Sequence, residues 1–382
     1  MAAATSAHET RTTCPYCGTG CGLLVRSEGG RLRAVRGDPL HPVNRGRTCR
    51  KPLELPAAVH ARDRATVPLW RDDRERRFEK VDWEQAIARL AEQIATTIDR
   101  HGPDSVAFYI SGQLTTEDYY VVNKLAKGFL GTNNVDSNSR LCMSSAVAGY
   151  AGAFGSDGPP ASYSDIALAD CFLLVGTNTA ACHPIVWSRI RDRQAEGATV
   201  ICVDPRPTET AVASDIHLAL RPGTDIELLL AMFDVVVREQ LVDRHFVARC
   251  THGFEEAAAL AAAWPPERAA AACGVAAADI ERAARLFARR RSLALWSMGA
   301  NQSRVGTLKN RAIINLCLAT GNVGRPGRGP LSLTGQPNAM GGREVGGLAH
   351  LLPGYRRVDR AEDRAAIERS WGLRPGSISP RP

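Results

Sequence analysis

The chain has 382 residues, 44% apolar and 23% charged, a composition that allows two or three folded domains and excludes a disordered or fibrous protein. Its net charge of +8 comes from 48 basic and 40 acidic side chains, but the arginines at 62–77, 285–291 and 356–369 lack interleaved aromatics and read as solvated helix faces, so no nucleic-acid partner is expected; a positive surface would instead draw an anionic substrate or an acidic electron-transfer partner. No apolar run is long enough to span a bilayer, Met1 to Thr13 carries neither a leader pattern nor a twin arginine, and the odd total of 11 cysteines suits reduced thiols, which together predict a cytoplasmic protein with no membrane partner.

The first element is a cysteine quartet, Cys14, Cys17, Cys21 and Cys49, spaced C-x2-C-x3-C-x27-C. Three thiols within eight residues and a fourth returned by a long loop suit one compact inorganic centre, so the leading reading is an iron–sulfur cluster of the [4Fe–4S] type. Structural zinc, which usually takes two C-x2-C pairs, and free core cysteines are the alternatives. Pro15, Gly18, Gly20 and Gly22 give the loop the tight bends that converging sulfurs need.

Next, Asp82 caps an amphipathic helix whose Ile87, Leu90, Ile94 and Ile98 recur at helical spacing, with Gln85 placed to close a capping box and a stop at His101-Gly102-Pro103. Strand-like runs at 105–111, 171–176, 199–203 and 293–297 then alternate with helical runs at 116–130, after Pro184 and at 307–319. That alternation predicts an α/β fold with a parallel sheet and right-handed crossovers. The alanine-rich stretch 255–291 reads as two surface helices broken at Pro265-Pro266 and Gly274. After Gly321 the glycine and proline density predicts a long functional loop, and beyond Asp359 one short charged helix leads to a proline-rich end.

Ligands of open α/β sheets bind at the carboxyl ends of the strands. Gly176-Thr177-Asn178-Thr179 and Asp204-Pro205-Arg206 stand there, suited respectively to phosphate and to ribose hydroxyls or a guanine edge, although either is also ordinary turn chemistry. No strand end carries G-x-G-x-x-G, which argues against a simple nicotinamide enzyme. Cys142, in N-S-R-L-C-M, is by itself most simply a small buried apolar residue, yet a helix start would lower its pKa and favour the thiolate that a soft metal ligand requires.

Taken together, C-P-Y-C-G-T-G-C, C-R-K, S-R-L-C-M-S-S-A, G-T-N-T-A-A-C-H-P, M-G-A-N-Q-S and T-G-Q-P-N-A-M-G-G-R-E-V-G make the chain resemble the molybdopterin oxidoreductase family, most closely its bacterial assimilatory nitrate reductase branch. The resemblance implies a small N-terminal [4Fe–4S] domain followed by Rossmann-like parallel-sheet α/β domains. The expected boundaries are 10–66 for the cluster domain, 67–141 for the first segment of a discontinuous pterin-binding domain, 142–330 for a dinucleotide-binding domain and 331–382 for an incomplete return segment. It further implies molybdenum-dependent reduction of nitrate to nitrite by oxygen-atom transfer, with Mo-bis(molybdopterin guanine dinucleotide) as cofactor. Cys14, Cys17, Cys21 and Cys49 would hold the cluster, Lys51 would lie between it and one pterin, and Cys142 would ligate molybdenum. Gln113, Asn138, Gly176, Thr177, Asn178, Thr179, Cys182, Asp204, Arg206, Thr208, Gly223, Thr224, Asp225, Met298 and Gln302 match positions that grip the two dinucleotides, and Arg343 would lie near the funnel to the metal and attract nitrate.

The implied electron donor is ferredoxin, flavodoxin or an NADH-linked reductase subunit. Formate dehydrogenase is the main enzymatic alternative, but its members typically follow the metal-ligating residue with histidine where this chain has Met143. Periplasmic nitrate reductases commonly place histidine before that cysteine, where this chain has Leu141. Family members are considerably longer, so the chain is expected to be C-terminally truncated, and a fragment that holds only the iron–sulfur cluster is the non-catalytic alternative.

Overall fold

The computed structural model describes residues 7–381; of the stretch Met1 to Thr13, read from the sequence for a leader pattern, residues 1–6 lie outside the described residues, and from His8 onward it forms a strand. His8–Thr13, Gly22–Glu28 and Arg31–Gly37 form a three-stranded antiparallel sheet, and the loop between its first two strands carries three of the four N-terminal cysteines. Cys49 caps the short helix Arg50–Leu53 that follows.

The main sheet has five strands in the order Ile216–Leu218, Thr199–Val203, Cys171–Val175, Ser292–Trp296, Gly329–Ser332, and every neighbouring pair is parallel. Numbered along the chain this is order 3-2-1-4-5, a doubly wound sheet whose direction of winding reverses between Cys171–Val175 and Ser292–Trp296. Both strands are near-continuous apolar runs, CFLLV and SLALW, because both faces are covered. Cys171, Leu173 and Val175 pack on one side with Trp296, Ile313 and Phe287, while Phe172 and Leu174 pack on the other with Leu293, Ile166 and Ile190. Trp296 is fully buried because its Nε1 donates to Asn310 Oδ1 at 2.5 Å, so the indole loses no hydrogen bond on leaving water.

A second, two-stranded parallel sheet pairs Phe108–Ile110 with Val135–Ser137. The helical run read at 116–130 is the α-helix Thr116–Asn123, started by a Thr115/Asp118 capping box, continued as the π-helical turn Lys124–Leu130. The helix Ser139–Phe154 runs unbroken through residues 141 and 142.

Several expectations change. At the helix Trp83–His101, Asp82 accepts from the Gln85 amide, but only this half of the capping box is present. The helix's apolar stripe is left open, with Trp83 68%, Ile87 61% and Leu90 53% exposed. The alanine-rich stretch holds three helices, Phe254–Ala262, Pro266–Cys273 and Ala277–Arg289; two breaks separate three segments, and the last buries Ile280, Ala283, Ala284 and Phe287 against the sheet. The region after Gly321 is not all loop: Gly329–Ser332 adds the edge strand, where Pro330 needs no ladder donor, and Ala339–Glu344 is a short helix. No helix among the described residues is long and apolar enough to cross a membrane.

Candidate functional site

Cys14, Cys17, Cys21 and Cys49 line a single small pocket, which they share with Lys51, Thr19 and Pro184. The loop is tied by Cys14 N–H donating to Cys21 O at 2.9 Å and Gly20 N–H to Cys17 O at 3.3 Å. Among the described residues no three His, Cys, Asp or Glu side chains converge on a point that would hold a single metal ion. Four thiols lining one pocket, three of them from a single loop, suit a multi-atom cluster. Burial pushes the Cys14 thiol up and Cys21 up to about 12, with the neighbouring cysteines adding to the rise, so these positions need the positive charge of iron to be thiolates.

Lys51 reaches out of this cavity. Its Nζ donates to the carbonyls of Ala181 at 3.2 Å and Cys182 at 3.3 Å, behind the strand Cys171–Val175. On its other flank the cysteine loop meets the carboxyl ends of both parallel sheets: Gly18 N–H donates to Gly335 O at 3.1 Å, and Gln113 Nε2 donates to Pro15 O at 2.9 Å. A side chain at Gly18 would collide with Thr334, so the contact depends on glycine.

The residues picked from the sequence lie at the carboxyl ends of strands. Gln113 and Asn138 follow the two strands of the small sheet, and Asn138 Oδ1 accepts from Gly112 N–H at 2.8 Å. Gly176, Thr177, Asn178 and Thr179 follow the first strand of the main sheet; Thr177 and Thr179 hydroxyls pair at 3.1 Å and Asn178 Oδ1 accepts from Thr210 at 2.9 Å, while Cys182 ends the short helix Thr179–Cys182. Asp204, Arg206 and Thr208 follow the second strand, where Asp204 Oδ1 orders the turn by accepting from Arg206 N–H at 2.9 Å and Thr208 caps the next helix. Gly223 and Thr224 follow the third, and Asp225 is buried in an ion pair with Lys309 at 2.7 Å. Met298 and Gln302 follow the fourth. At the winding reversal Gly176 (φ 55°) backs directly onto Gly299, whose N–H donates to Gly176 O at 3.0 Å.

Cys142 stands where these edges meet. It is 2% exposed, its Sγ is 3.7 Å from Met298 Sδ, and the backbone of Gly335 and Gln336 hydrogen-bonds to it. The sequence expectation of a lowered pKa is corrected: burial raises it, and the Gly335 amide, the Arg343 charge and the Gln336 amide offset only part of that rise. The residue is also one turn inside the helix, whose N-cap is Asn138, so the terminal dipole acts at a distance. A thiolate here requires a bound cation.

Arg343 is 3% exposed, with Nε 2.8 Å from Asp157 Oδ2. It lines two half-open cavities, one with Met143, Tyr150, Ser332 and Thr334 and one with Arg140, His350 and Arg357. Ser139 Oγ, His183 Nδ1, Gln336 Oε1 and Arg343 Nη1, buried in these edge loops and near Cys142, have no hydrogen-bond partner. Buried polar groups are normally satisfied, so this set fits a polar cofactor between the edges. Sequence reasoning passed over Asp157, Lys309 and His183; only His183, inside G-T-N-T-A-A-C-H-P, had a motif to mark it.

Residues 64–375 match the family described as molybdopterin oxidoreductase, and residues 7–60 match the molybdopterin oxidoreductase Fe4S4 domain. A nitrate reductase of Synechocystis sp. is 45% identical over 98% of this chain and 54% of its own length. A periplasmic nitrate reductase of Desulfovibrio desulfuricans is 44% identical over 97% and 50%. Acetylene hydratase from Pelobacter acetylenicus shares the fold with a TM-score of 0.74 and 26% identity, over 81% of this chain and 43% of that one. The chain spans about half the length of the curated relatives it matches.

Proposed function

The chain belongs to the molybdopterin oxidoreductase family, and on that premise we propose that it works in molybdenum-dependent reduction of nitrate to nitrite in the cytoplasm, for nitrate assimilation. In this reading Cys14, Cys17, Cys21 and Cys49 hold a [4Fe–4S] cluster, Cys142 ligates molybdenum, and the loops after the strands hold two molybdopterin guanine dinucleotides. When bound, that cofactor supplies two-electron oxygen-atom transfer, and the cluster supplies electrons singly.

The observation that carries the reading is the convergence at Cys142: loops from the carboxyl edges of two separate parallel sheets meet there, and the cysteine loop reaches the same place through Gly18 and Gly335. The chain's own part is positional. Gly335 and Gln336 amides orient the Cys142 sulfur. Lys51 fixes the 181–182 carbonyls against the cluster cavity. Asp157 holds the Arg343 guanidinium in place and leaves Nη1 free to donate to an anion such as nitrate. The cluster domain carries nine Lys and Arg against four Asp and Glu in residues 7–60, which suits an acidic one-electron donor such as ferredoxin or flavodoxin, or a reductase subunit linked to NADH.

One observation favours a second reading, in which the chain holds the cluster alone: the open stripe of Trp83, Ile87 and Leu90 is apolar surface without a partner. Metal analysis of the purified chain, with viologen-driven nitrate reduction, separates the two. About four iron atoms and one molybdenum per chain with nitrite formed supports the first. Iron without molybdenum, even after loading with cofactor, supports the second.

A further inference from the structure

Tyr119, Asn123 and Lys127 follow at four-residue steps along the helix Thr116–Asn123 and the π-helical turn Lys124–Leu130, and they are 1%, 0% and 0% exposed. All three grip one stretch that is remote in sequence. The Tyr119 ring lies against Gly342 and Gly347, where an added Cβ would come to 2.8 and 2.9 Å from it. Asn123 Nδ2 donates to Val345 O at 2.8 Å. Lys127 Nζ donates to Gly346 O at 3.1 Å, to Leu348 O at 2.8 Å and to Leu351 O.

A fully buried ammonium is expensive, and an apolar side chain would fill the same volume at lower cost. What lysine adds here is three donors aimed at three main-chain carbonyls of a single segment. The π-helical turn that delivers it is a rare irregularity, commonly found at functional sites. The gripped segment continues directly from the helix Ala339–Glu344, which carries Arg343 to the junction of the two cavities beside Asp157.

We propose that Lys127, with Asn123, is a positioning residue: it clamps the segment 345–351 and through it fixes the Arg343 guanidinium between the two cavities. The consequence for catalysis rests on the reading of Arg343 as the group that receives nitrate; the clamp itself does not.

Hydrogen–deuterium exchange on the chain tests the clamp. In Lys127→Met the amides of Val345, Gly346, Gly347 and Leu351, all hydrogen-bonded locally, are expected to exchange about tenfold faster while the strand Cys171–Val175 keeps its rate. Asn123→Ala, which removes only the Val345 contact, loosens Val345 to Gly347 by a smaller factor and carries the same test should Lys127→Met fail to fold. Equal loosening of strand and segment, or no change in the segment, overturns the proposal. In the nitrate-reducing holoenzyme, Lys127→Met raises the nitrate KM several-fold and adds nothing once Arg343→Gln is present; a rise that persists in full on that background overturns positioning through Arg343. If Arg343→Gln alone leaves the nitrate KM unchanged while the segment still loosens in Lys127→Met, the nitrate reading of Arg343 fails and the clamp stands.

Discussion

Lys51 Nζ donates to Ala181 O at 3.2 Å and Cys182 O at 3.3 Å, so one side chain lines the four-cysteine cavity and also closes on the loop behind the first strand of the main sheet. Lys51→Met keeps the stem and removes both donors and the charge. A positive charge near a cluster favours its reduced, more negative form, so losing it lowers the midpoint potential, by on the order of 50 mV. Redox titration followed by electron paramagnetic resonance measures this. An unchanged potential would leave Lys51 as a purely structural tie.

Cys142 and the cysteine quartet are separate thiol sites, joined through the main-chain contact of Gly18 with Gly335. Cys142→Ser in the loaded enzyme is therefore expected to reduce nitrate turnover by at least about 100-fold while iron content and the cluster's resonance signal persist, because serine is a poor soft-metal ligand and touches none of the four cluster thiols. Turnover retained within a factor of a few would remove Cys142 from the metal.

The quartet was legible because its ligand spacing is local, and so were the strands Cys171–Val175, Thr199–Val203 and Ser292–Trp296, whose near-continuous apolar runs follow from burial on both faces. The edge strand Gly329–Ser332 was not, since Gly329 and Pro330 carry turn composition and only pairing with Ser292–Trp296 makes them extended. Periodicity found the helix Trp83–His101 but gave no sign that its stripe stays open, because an apolar face says nothing about what covers it. The Arg343–Asp157 pair and the Lys127 clamp join segments remote in sequence, so no local pattern marks them. The thiol of Cys142 departs from expectation for a related reason: helix position is written in the sequence, burial is not.

Gly176→Ala tests the tightness of the winding reversal. Gly176 has φ 55°, a conformation that costs a residue with a side chain about 1–3 kcal/mol, and a Cβ there would lie 2.8 Å from the Ala300 amide nitrogen, backbone that cannot swing aside. Together these predict a loss of roughly 2–4 kcal/mol of stability, read as a lower denaturant midpoint. A loss under about 0.5 kcal/mol would mean that the two loops separate easily and that the crevice is not preformed.

The buried Lys127 ammonium gives the fold a pH dependence whose sign can be worked out. Burial lowers its pKa from the ordinary 10.5 to about 7, with Asp136 opposing part of the shift; the Arg140 guanidinium and His350, an imidazole that burial and Arg140 keep below its ordinary pKa, lie on the neighbouring elements. Below about pH 7 the folded and unfolded chains both carry the proton; between about 7 and 10.5 the unfolded chain holds a proton that the folded chain has released, so stability rises with pH, at most by about 1.4 kcal/mol per pH unit. The contribution is complete above the unfolded value and is lost as pH falls through about 7. Comparing denaturation midpoints of the wild type and Lys127→Met from pH 6.5 to 9.5, a window of roughly three units around the lowered value, isolates this group from the cysteines and tyrosines that titrate in both proteins. The wild type is expected to gain on the variant as pH rises. The same deprotonation leaves two N–H donors for three carbonyls, so exchange at Gly346 to Leu351 should quicken with pH beyond its intrinsic dependence even as the chain as a whole becomes harder to unfold. Parallel curves for the two proteins would show that Lys127 keeps its proton through the range, and that its three carbonyls solvate the charge as well as water does.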